Sequence, residues 1–203
     1  MLQIPEKKHQ PIKKASVVLT AMLLLGGGLY VLSLYLSPAI ADVFFIKPIV
    51  VSSLPAPHVS QNRIIIPKIG VNIEYGQGEA ALNSGAQWRW PDRGNPEAGG
   101  NFIIAAHRLS IQPTPQGTIE KSPFYNIGNV AVHDKIIVDY GGVRYGYEVE
   151  KIVSVKPNDT SIEAESSTAK LTLYSCDLAG SSADRVVLVA TPLGKVALSS
   201  KSE

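Results

Sequence analysis

The sequence has little of what several common types of functional site require. Its 203 residues include one cysteine, so the chain cannot form an internal disulfide or a zinc site built from several thiolates. Charged residues make up 18% of the chain and the formal net charge is +2, which gives no electrostatic argument for nucleic-acid binding. We predict no metal and no cofactor. The length suits one folded domain beside one apolar segment.

That apolar segment lies near the N-terminus. Residues 15–36 contain no charge and no proline, and as a helix they would span roughly 33 Å, which matches the hydrocarbon core of a bilayer. Lysines in residues 1–14 precede it, and this favours a cytoplasmic N-terminal tail and a single-pass signal anchor with everything after it outside the cell. A cleaved signal peptide is the alternative, because Ala39-Ile40-Ala41 resembles a cleavage site. Both interpretations export the domain.

The exported part is rich in short β-branched runs. Residues 42–61 contain three prolines and several serines, and residues 37–61 are predicted to form an extended extracellular spacer. Strand-like runs follow at residues 63–66, 71–75, 101–106, 135–140, 143–155, 170–175 and 185–190. Short strands at this density predict a closed antiparallel barrel or a sandwich. Gly141-Gly142 indicates a hairpin turn, and residues 196–203 form a polar tail.

Residues 88–96 carry two tryptophans and two arginines. This stretch is either a loop near a binding cleft or a surface loop with one tryptophan buried in the core. Composition alone favours the second interpretation.

The single cysteine lies at the end of a strand-like run. Residues 170–190 are predicted to form a strand, a polar loop and a second strand. If the two strands pair as a hairpin, Cys176 and Arg185 can face each other with Cβ atoms about 5 Å apart. A guanidinium there would favour the thiolate and could donate to the oxyanion that forms when a thiolate attacks an amide. A lone cysteine is nevertheless more often an inert, buried small hydrophobe.

A nucleophilic cysteine also needs a base or a cationic partner. His107 ends the apolar run at 101–106, and the end of a buried strand is a common place for a site residue. A hydrogen-bonded histidine at a strand end explains it equally well. His9 lies in the cytoplasmic tail, His58 in the spacer and His133 in a predicted turn, where each is most simply a bystander.

Several of these motifs together resemble the sortase family. Thr172-Leu173-Tyr174-Ser175-Cys176 is similar to its TLxTC signature, with serine before the cysteine. Arg185, followed by two valines, resembles the arginine that begins the family's last strand, and His107 with the arginine after it resembles the catalytic histidine segment. Residues 66–71 look like the opening strand pair. The similarity covers roughly residues 63–193.

This resemblance implies an all-β fold with short helices, a closed eight-stranded barrel over residues 62–195 behind one N-terminal transmembrane helix. It implies a cysteine transpeptidase of the cell membrane that cleaves an LPxTG-type sorting signal through a thioester. The acceptor would be an amine of a peptidoglycan precursor or of a pilin lysine, and water in its place would give endopeptidase activity.

The resemblance also assigns roles to residues. Cys176 would be the nucleophile, His107 the acid and base, and Arg185 the group that holds the signal or its oxyanion. Ser175 and Thr172 would contact substrate. The sequence departs from the family pattern before its histidine, where Ala106 stands in place of the usual glycine.

Two other functions remain as alternatives. An exported L,D-transpeptidase-like cell-wall enzyme would also use a cysteine, but there a glycine precedes it and an arginine follows closely. Ser175 before the cysteine and Arg185 nine positions after it disfavour that enzyme. A non-enzymatic surface adhesion module with an incidental thiol is the second alternative, and it would carry a buried, unreactive cysteine.

Overall fold

The part of the chain that the structure describes forms a barrel of strands and three α-helices. The computed structural model describes residues 14–44, 47–176 and 182–197. The helices are α1 (Lys14–Phe44), α2 (Gly78–Ser84) and α3 (Pro115–Glu120). The strands are β1 (Arg63–Ile66), β2 (Val71–Gly76), β3 (Ala86–Trp88), β4 (Gly94–Asn95), β5 (Gly99–Ala106), β6 (Lys135–Tyr140), β7 (Val143–Val155), β8 (Lys170–Cys176) and β9 (Arg185–Lys195).

The sheet closes on itself. Its order is β3-β2-β1-β6-β7-β9-β8-β5-β4, and an additional pairing of β3 with β5 joins the two ends. Eight strands therefore form a closed barrel, and the two-residue β4 lies outside the ring against β5. This confirms the predicted eight-stranded barrel. The expectation of a wholly antiparallel barrel is wrong, because β2 pairs parallel with β3 and β5 pairs parallel with β8.

Local sequence explains the hairpin between β6 and β7. Tyr140 pairs with Val143, and the two glycines between them have φ values of 56° and 81°. Two successive residues with positive φ are what a type I′ turn requires, and glycine adopts them without a Cβ clash. The hairpin predicted from Gly141-Gly142 is confirmed.

The barrel interior is filled by large apolar side chains from all sides. Trp88 is 8% exposed and makes edge-on ring contacts with Phe102 at 5.7 Å and Tyr140 at 5.9 Å. Its indole N–H donates to the carbonyl of Gly94, so the polar end of the ring is also satisfied. Residues 88–96 thus place one tryptophan in the core, as the second interpretation expected.

Strand β5 is buried on both faces. Phe102 and Ile104 point into the barrel core, whereas Ile103 and Ala105 belong to a second apolar cluster with Tyr174 and other residues outside the barrel. A strand covered on both sides reads as a continuous apolar run rather than an alternating one. The 156–169 segment between β7 and β8 supplies part of this outer cover, through Ile162.

Helix α1 is the one helix among the described residues that is long and apolar enough to cross a membrane. It continues past residue 36 to Phe44, with Pro38 inside it. Proline lacks the N–H that would bond the carbonyl four residues earlier, and the Ser37 hydroxyl donates to that carbonyl, of Leu34, at 2.9 Å. Leu34, Ser37, Pro38 and Ala41 are buried, and α1 packs against α3.

The segment before the barrel also lies against it. Arg144 forms a bidentate ion pair with Asp139, with N···O distances of 2.7 and 2.8 Å, and both side chains are 3% exposed. The same guanidinium donates to the carbonyl of Pro55 at 2.8 Å. The backbone N–H of Ile49 donates to Pro67. Residues 47–61, expected to be an extended spacer, therefore help to close one side of the domain.

We expect these contacts to matter for stability. A chain that begins at residue 62 should unfold more easily than one that begins at residue 47, by about 1.5–3 kcal/mol, because a buried charged donor on Arg144 loses its carbonyl partner. Urea denaturation of the two truncated proteins, both without α1, measures the difference. Equal free energies of unfolding would show that the contact with Pro55 is dispensable.

Candidate active site

Three adjacent strands bring the three predicted catalytic residues to one level of the barrel. Strand β8 pairs antiparallel with β9, and Cys176 stands directly opposite Arg185. On its other side β8 pairs parallel with β5, from Asn101 with Lys170 to Ala105 with Tyr174. This register keeps a constant separation of 69 residues, and two more steps bring His107 level with Cys176. Neighbouring strands lie about 4.8 Å apart.

A hydrogen bond fixes this register next to the row of His107, Cys176 and Arg185. The Ser175 hydroxyl donates to the carbonyl of Ala106 at 2.8 Å, across the same 69-residue separation, and Ser175 is 2% exposed. The bond ties the end of the histidine strand to the end of the cysteine strand. A contact between Ser175 and substrate stays a prediction.

The backbone of Cys176 is the last residue of β8. Its side chain, and residues 177–181 after it, lie outside the described part of the chain. The described strand nevertheless fixes where the residue stands, between β5 and β9.

His107 is half-buried at the mouth of the barrel. Burial lowers its pKa below the ordinary value of 6.5, because a charged imidazolium is harder to solvate there. Its Nε2 lies 3.4 Å from Oδ1 of Asn83, and its carbonyl accepts the N–H of Phe124. Near neutral pH this environment favours the neutral imidazole, which can accept a proton.

The guanidinium of Arg185 lies over the ring of Tyr174. Its Cζ lies 5.3 Å from the centre of the Tyr174 ring, a cation–π distance. The buried Nε of Arg185 has no hydrogen-bond partner among the described residues. The contact with Tyr174 thus orients the guanidinium.

Behind Tyr174 lies a buried carboxylate. Glu163 is 6% exposed and accepts hydrogen bonds from the Tyr174 hydroxyl at 2.5 Å, the Trp90 indole at 2.9 Å and the Arg89 guanidinium at 3.0 Å. Burial alone would raise the pKa of Glu163, but these three donors outweigh it and lower the pKa. Burial, and then the bond to Glu163, raise the pKa of Tyr174. The pair therefore consists of a charged carboxylate and a neutral phenol.

The loop between β7 and β8 is pinned by a second set of bonds. The side-chain amide of Asn101 donates to the carbonyls of Ile162 and Ala164, and Arg93 donates to the carbonyl of Glu163. The Thr172 hydroxyl donates to Oδ1 of Asn101 at 2.7 Å. The β7–β8 loop, strands β5 and β8 and the 88–96 segment are thereby joined.

A groove of about 420 Å³ lies under this loop, on the outer faces of β7, β8 and β9. Thr172 lines it, together with Ile162 of the loop and Val155, which pairs with Arg185. The groove therefore lies beside the strand that carries Arg185. It has the volume to take a short stretch of peptide.

The other histidines lie apart from the row. The Nδ1 atom of His58 lies 2.8 Å from the hydroxyl of Ser60. His133 has a φ of 72° in the turn before β6, and its Nδ1 lies 3.1 Å from Glu148. His9 falls outside the described residues.

Sequence reasoning did not anticipate the support around Arg185. No local pattern singled out Glu163, and Arg89 lies 74 residues away from it. The concentration of tryptophan and arginine in residues 88–96 was the one available signal. Nothing in a single sequence pairs that stretch with Glu163.

A family model for the sortase domain matches residues 64–193. The chain belongs to the sortase family. The matched region runs from β1 into β9 and contains all three residues of the row. Family members are cysteine transpeptidases, so this is the kind of enzyme that the chain represents.

Solved sortase structures share the fold. The sortase D5 transpeptidase of Clostridium perfringens is 26% identical with a TM-score of 0.54, over 66% of this chain and 79% of its own. Sortase A of Listeria monocytogenes is 23% identical with a TM-score of 0.53, over 69% and 92%. Sortase C-3 of Streptococcus pneumoniae is 19% identical with a TM-score of 0.55, over 78% and 75%. No curated protein gave a significant match to the chain.

The environment of His107 leads to a titration prediction. In a Cys176→Ala protein, NMR of the His107 ring protons should give a pKa below 6.5, because burial penalises the imidazolium. The alanine removes the thiol as a coupled titrating neighbour. A pKa at or above 6.5 would show that an unconsidered acceptor stabilises the charged ring.

Proposed function

We propose that this protein is a membrane-anchored sortase that cleaves an LPxTG-type sorting signal and transfers the cleaved protein to an amine. The observation that carries the proposal is the row of His107, Cys176 and Arg185 across β5, β8 and β9. Such a row supplies a nucleophile, a proton carrier and an oxyanion donor within reach of one peptide bond. The proposed catalytic domain covers residues 62–195.

The first half-reaction forms a thioester. Cys176 transfers its proton to His107, and the thiolate attacks the carbonyl carbon of the signal's threonine. The negative charge that develops on the carbonyl oxygen is stabilised by Arg185. Its guanidinium lies over the Tyr174 ring, and its Nε–H has no hydrogen-bond partner among the described residues. His107 then protonates the leaving amine as the C–N bond breaks. The glycine-side product leaves, and the acyl group stays on sulfur.

The second half-reaction restores the enzyme. Neutral His107 takes a proton from the incoming amine, which attacks the thioester carbonyl and expels the Cys176 thiolate. The lowered pKa of His107 suits this step, because the ring must be neutral to accept a proton. The acceptor is an amine of a peptidoglycan precursor or of a pilin lysine. Water at the same point would release the cleaved protein as a hydrolytic product.

Substrate would lie in the groove under the β7–β8 loop. Thr172 and Ile162 line that groove, and Ser175 is proposed to support substrate contact at its active-site end. The position of the loop depends on the bonds to Glu163 and Asn101. We infer that these bonds keep the groove open to an extended peptide.

Helix α1 is proposed to be a single-pass signal anchor. Its apolar length and the lysines before it support a cytoplasmic N-terminus and an extracellular catalytic domain. The sorting substrates and the acceptor would be met on that side.

The most informative test combines substrate and acceptor. The soluble domain is incubated with a library of LPxTG-type peptides and glycine-based or lysine-based amines, and the products are read by mass spectrometry. New peptide–amine conjugates support the proposal and name both partners. A folded protein whose thiol neither alkylates near neutral pH nor forms any acyl-enzyme would favour the adhesion module.

Removing the proposed nucleophile should abolish turnover without unfolding the protein. We expect Cys176→Ala to give no conjugate, and His107→Ala to lose most activity because no group then carries the proton. His133→Ala is the matched control, since that side chain lies in an exposed turn. Continuous assays with a quenched peptide measure all three, and circular dichroism checks the fold. Turnover by a folded Cys176→Ala protein would remove the assignment.

Charge and geometry can be separated at Arg185. Lysine keeps the positive charge but lacks the planar group that stacks on Tyr174 and grips a carbonyl oxygen. If Arg185 holds the oxyanion, Arg185→Lys should lower kcat/KM by roughly a hundred- to a thousand-fold, with the thiol titration little changed. If it mainly lowers the thiol pKa, lysine should largely rescue Arg185→Ala. Alkylation rate against pH, beside turnover, tells the two apart.

A further inference from the structure

The free part of α1 is too short to span a bilayer by itself. The helix residues from Lys14 to Leu32 are exposed, but the Tyr30 hydroxyl already donates to the carbonyl of Pro113. Residues 15–29, before this contact, are about 22 Å long at roughly 1.5 Å per residue. A hydrocarbon core is about 30 Å thick. The missing length must come from the part of α1 that touches the domain.

A segment of the domain that meets α1 carries no charge between Arg108 and Glu120. Residues 109–119, which run from the end of the His107 segment through most of α3, contain no acidic or basic side chain. Ile111 is 55% exposed although it is a large apolar residue. Pro113 and Pro115 are exposed beside it. An uncharged surface with a protruding isoleucine is what a membrane interface accepts.

Several backbone positions of this segment also have no N–H group that needs water as its partner. The N–H groups of Ser110 and Gln112 donate to the hydroxyls of Ser122 and Thr118 at 3.0 and 2.9 Å. Residues 113 and 115 are prolines and have no N–H. The N–H of Gly117 is capped by the Thr114 hydroxyl. At these five positions no backbone donor has to give up water, and this lowers the cost of leaving bulk solvent.

We infer that residues 109–119 rest on the lipid bilayer from which α1 emerges, with Ile111 at the boundary between headgroups and acyl chains. The inference rests on the proposed membrane anchor. Tyr30 then lies at the depth where amphipathic rings are favoured, bonded to the segment that shares that depth. Leu34, Ser37, Pro38 and Ala41 fix the angle of approach by packing against the domain.

This seating orients the active site. Strands β5 and β8 run parallel, so both finish at the same end of the barrel. His107 lies at that end, directly before the uncharged segment. The catalytic row therefore lies at the membrane-facing end of the barrel, within reach of a substrate or acceptor that is itself held in the bilayer.

Depth measurement by electron paramagnetic resonance tests the inference. The full chain, carrying Cys176→Ala so that each introduced thiol is the only one, is placed in bilayer nanodiscs of phosphatidylcholine and phosphatidylglycerol. A nitroxide is attached at Leu25→Cys, Ile111→Cys or Leu193→Cys, whose native side chains are 66%, 55% and 58% exposed. Leu193 lies in β9 at the end away from Arg185 and is the matched control. Collision rates with oxygen and with a water-soluble nickel complex are compared.

We expect the oxygen-to-nickel ratio at Ile111 to be several-fold above that at Leu193 and to approach that at Leu25. A ratio at Ile111 equal to that at Leu193, with Leu25 shielded from nickel, would overturn the seating and leave the anchor and the transpeptidase proposal standing. Exposure of all three positions to nickel would overturn both the anchor and the seating. Because Ile111 is exposed, its replacement does not threaten the fold, and circular dichroism verifies this.

Discussion

The parallel pairing of β5 with β8 is the constraint on which the active site depends. Continued two residues past the Ala105–Tyr174 pair, this register sets His107 level with Cys176, and the antiparallel pairing of β8 with β9 adds Arg185 to the same level. Side chains alternate between the two faces of a strand, so a slip of one residue would move His107 to the opposite face from its partners. The bonds from Ser175 to Ala106 and from Thr172 to Asn101 resist such a slip. These two buried hydroxyls therefore fix the register, and the register decides which side chains of the proposed site lie together.

The carboxylate of Glu163 links this register to the groove. A buried charge is costly unless it is fully hydrogen-bonded, and three donors from two other segments converge on this one. The Tyr174 ring that bonds it also carries the Arg185 guanidinium. The loop over the groove and the Arg185 guanidinium are therefore positioned by the same group. The stacking and the hydrogen bonds reinforce each other, because each fixes the Tyr174 ring from a different side.

Local patterns predicted most of the barrel. The β-branched runs located seven strands, and the Gly141-Gly142 pair located a hairpin. They missed β3 and β4, which are too short and too poor in β-branched residues to give a signal, and they gave no indication of parallel pairing. In the site, the spacing of Cys176 and Arg185 predicted their direct pairing, since a hairpin is local. The network around Glu163, and the contact of Arg144 with Pro55, join residues far apart in sequence and followed from no local pattern.

The place of β8 and β9 in the sheet has a consequence for how the enzyme matures. They are the last two strands in the described part of the chain, yet they lie between β7 and β5 in the closed order. The barrel cannot close until the C-terminal hairpin inserts between strands made much earlier, and such non-local closure is slow in folding because loop entropy is lost before contacts form. Until that step Cys176 and Arg185 can pair within the hairpin, but His107 is not beside them. The three residues of the row would therefore come together only with the final step of folding.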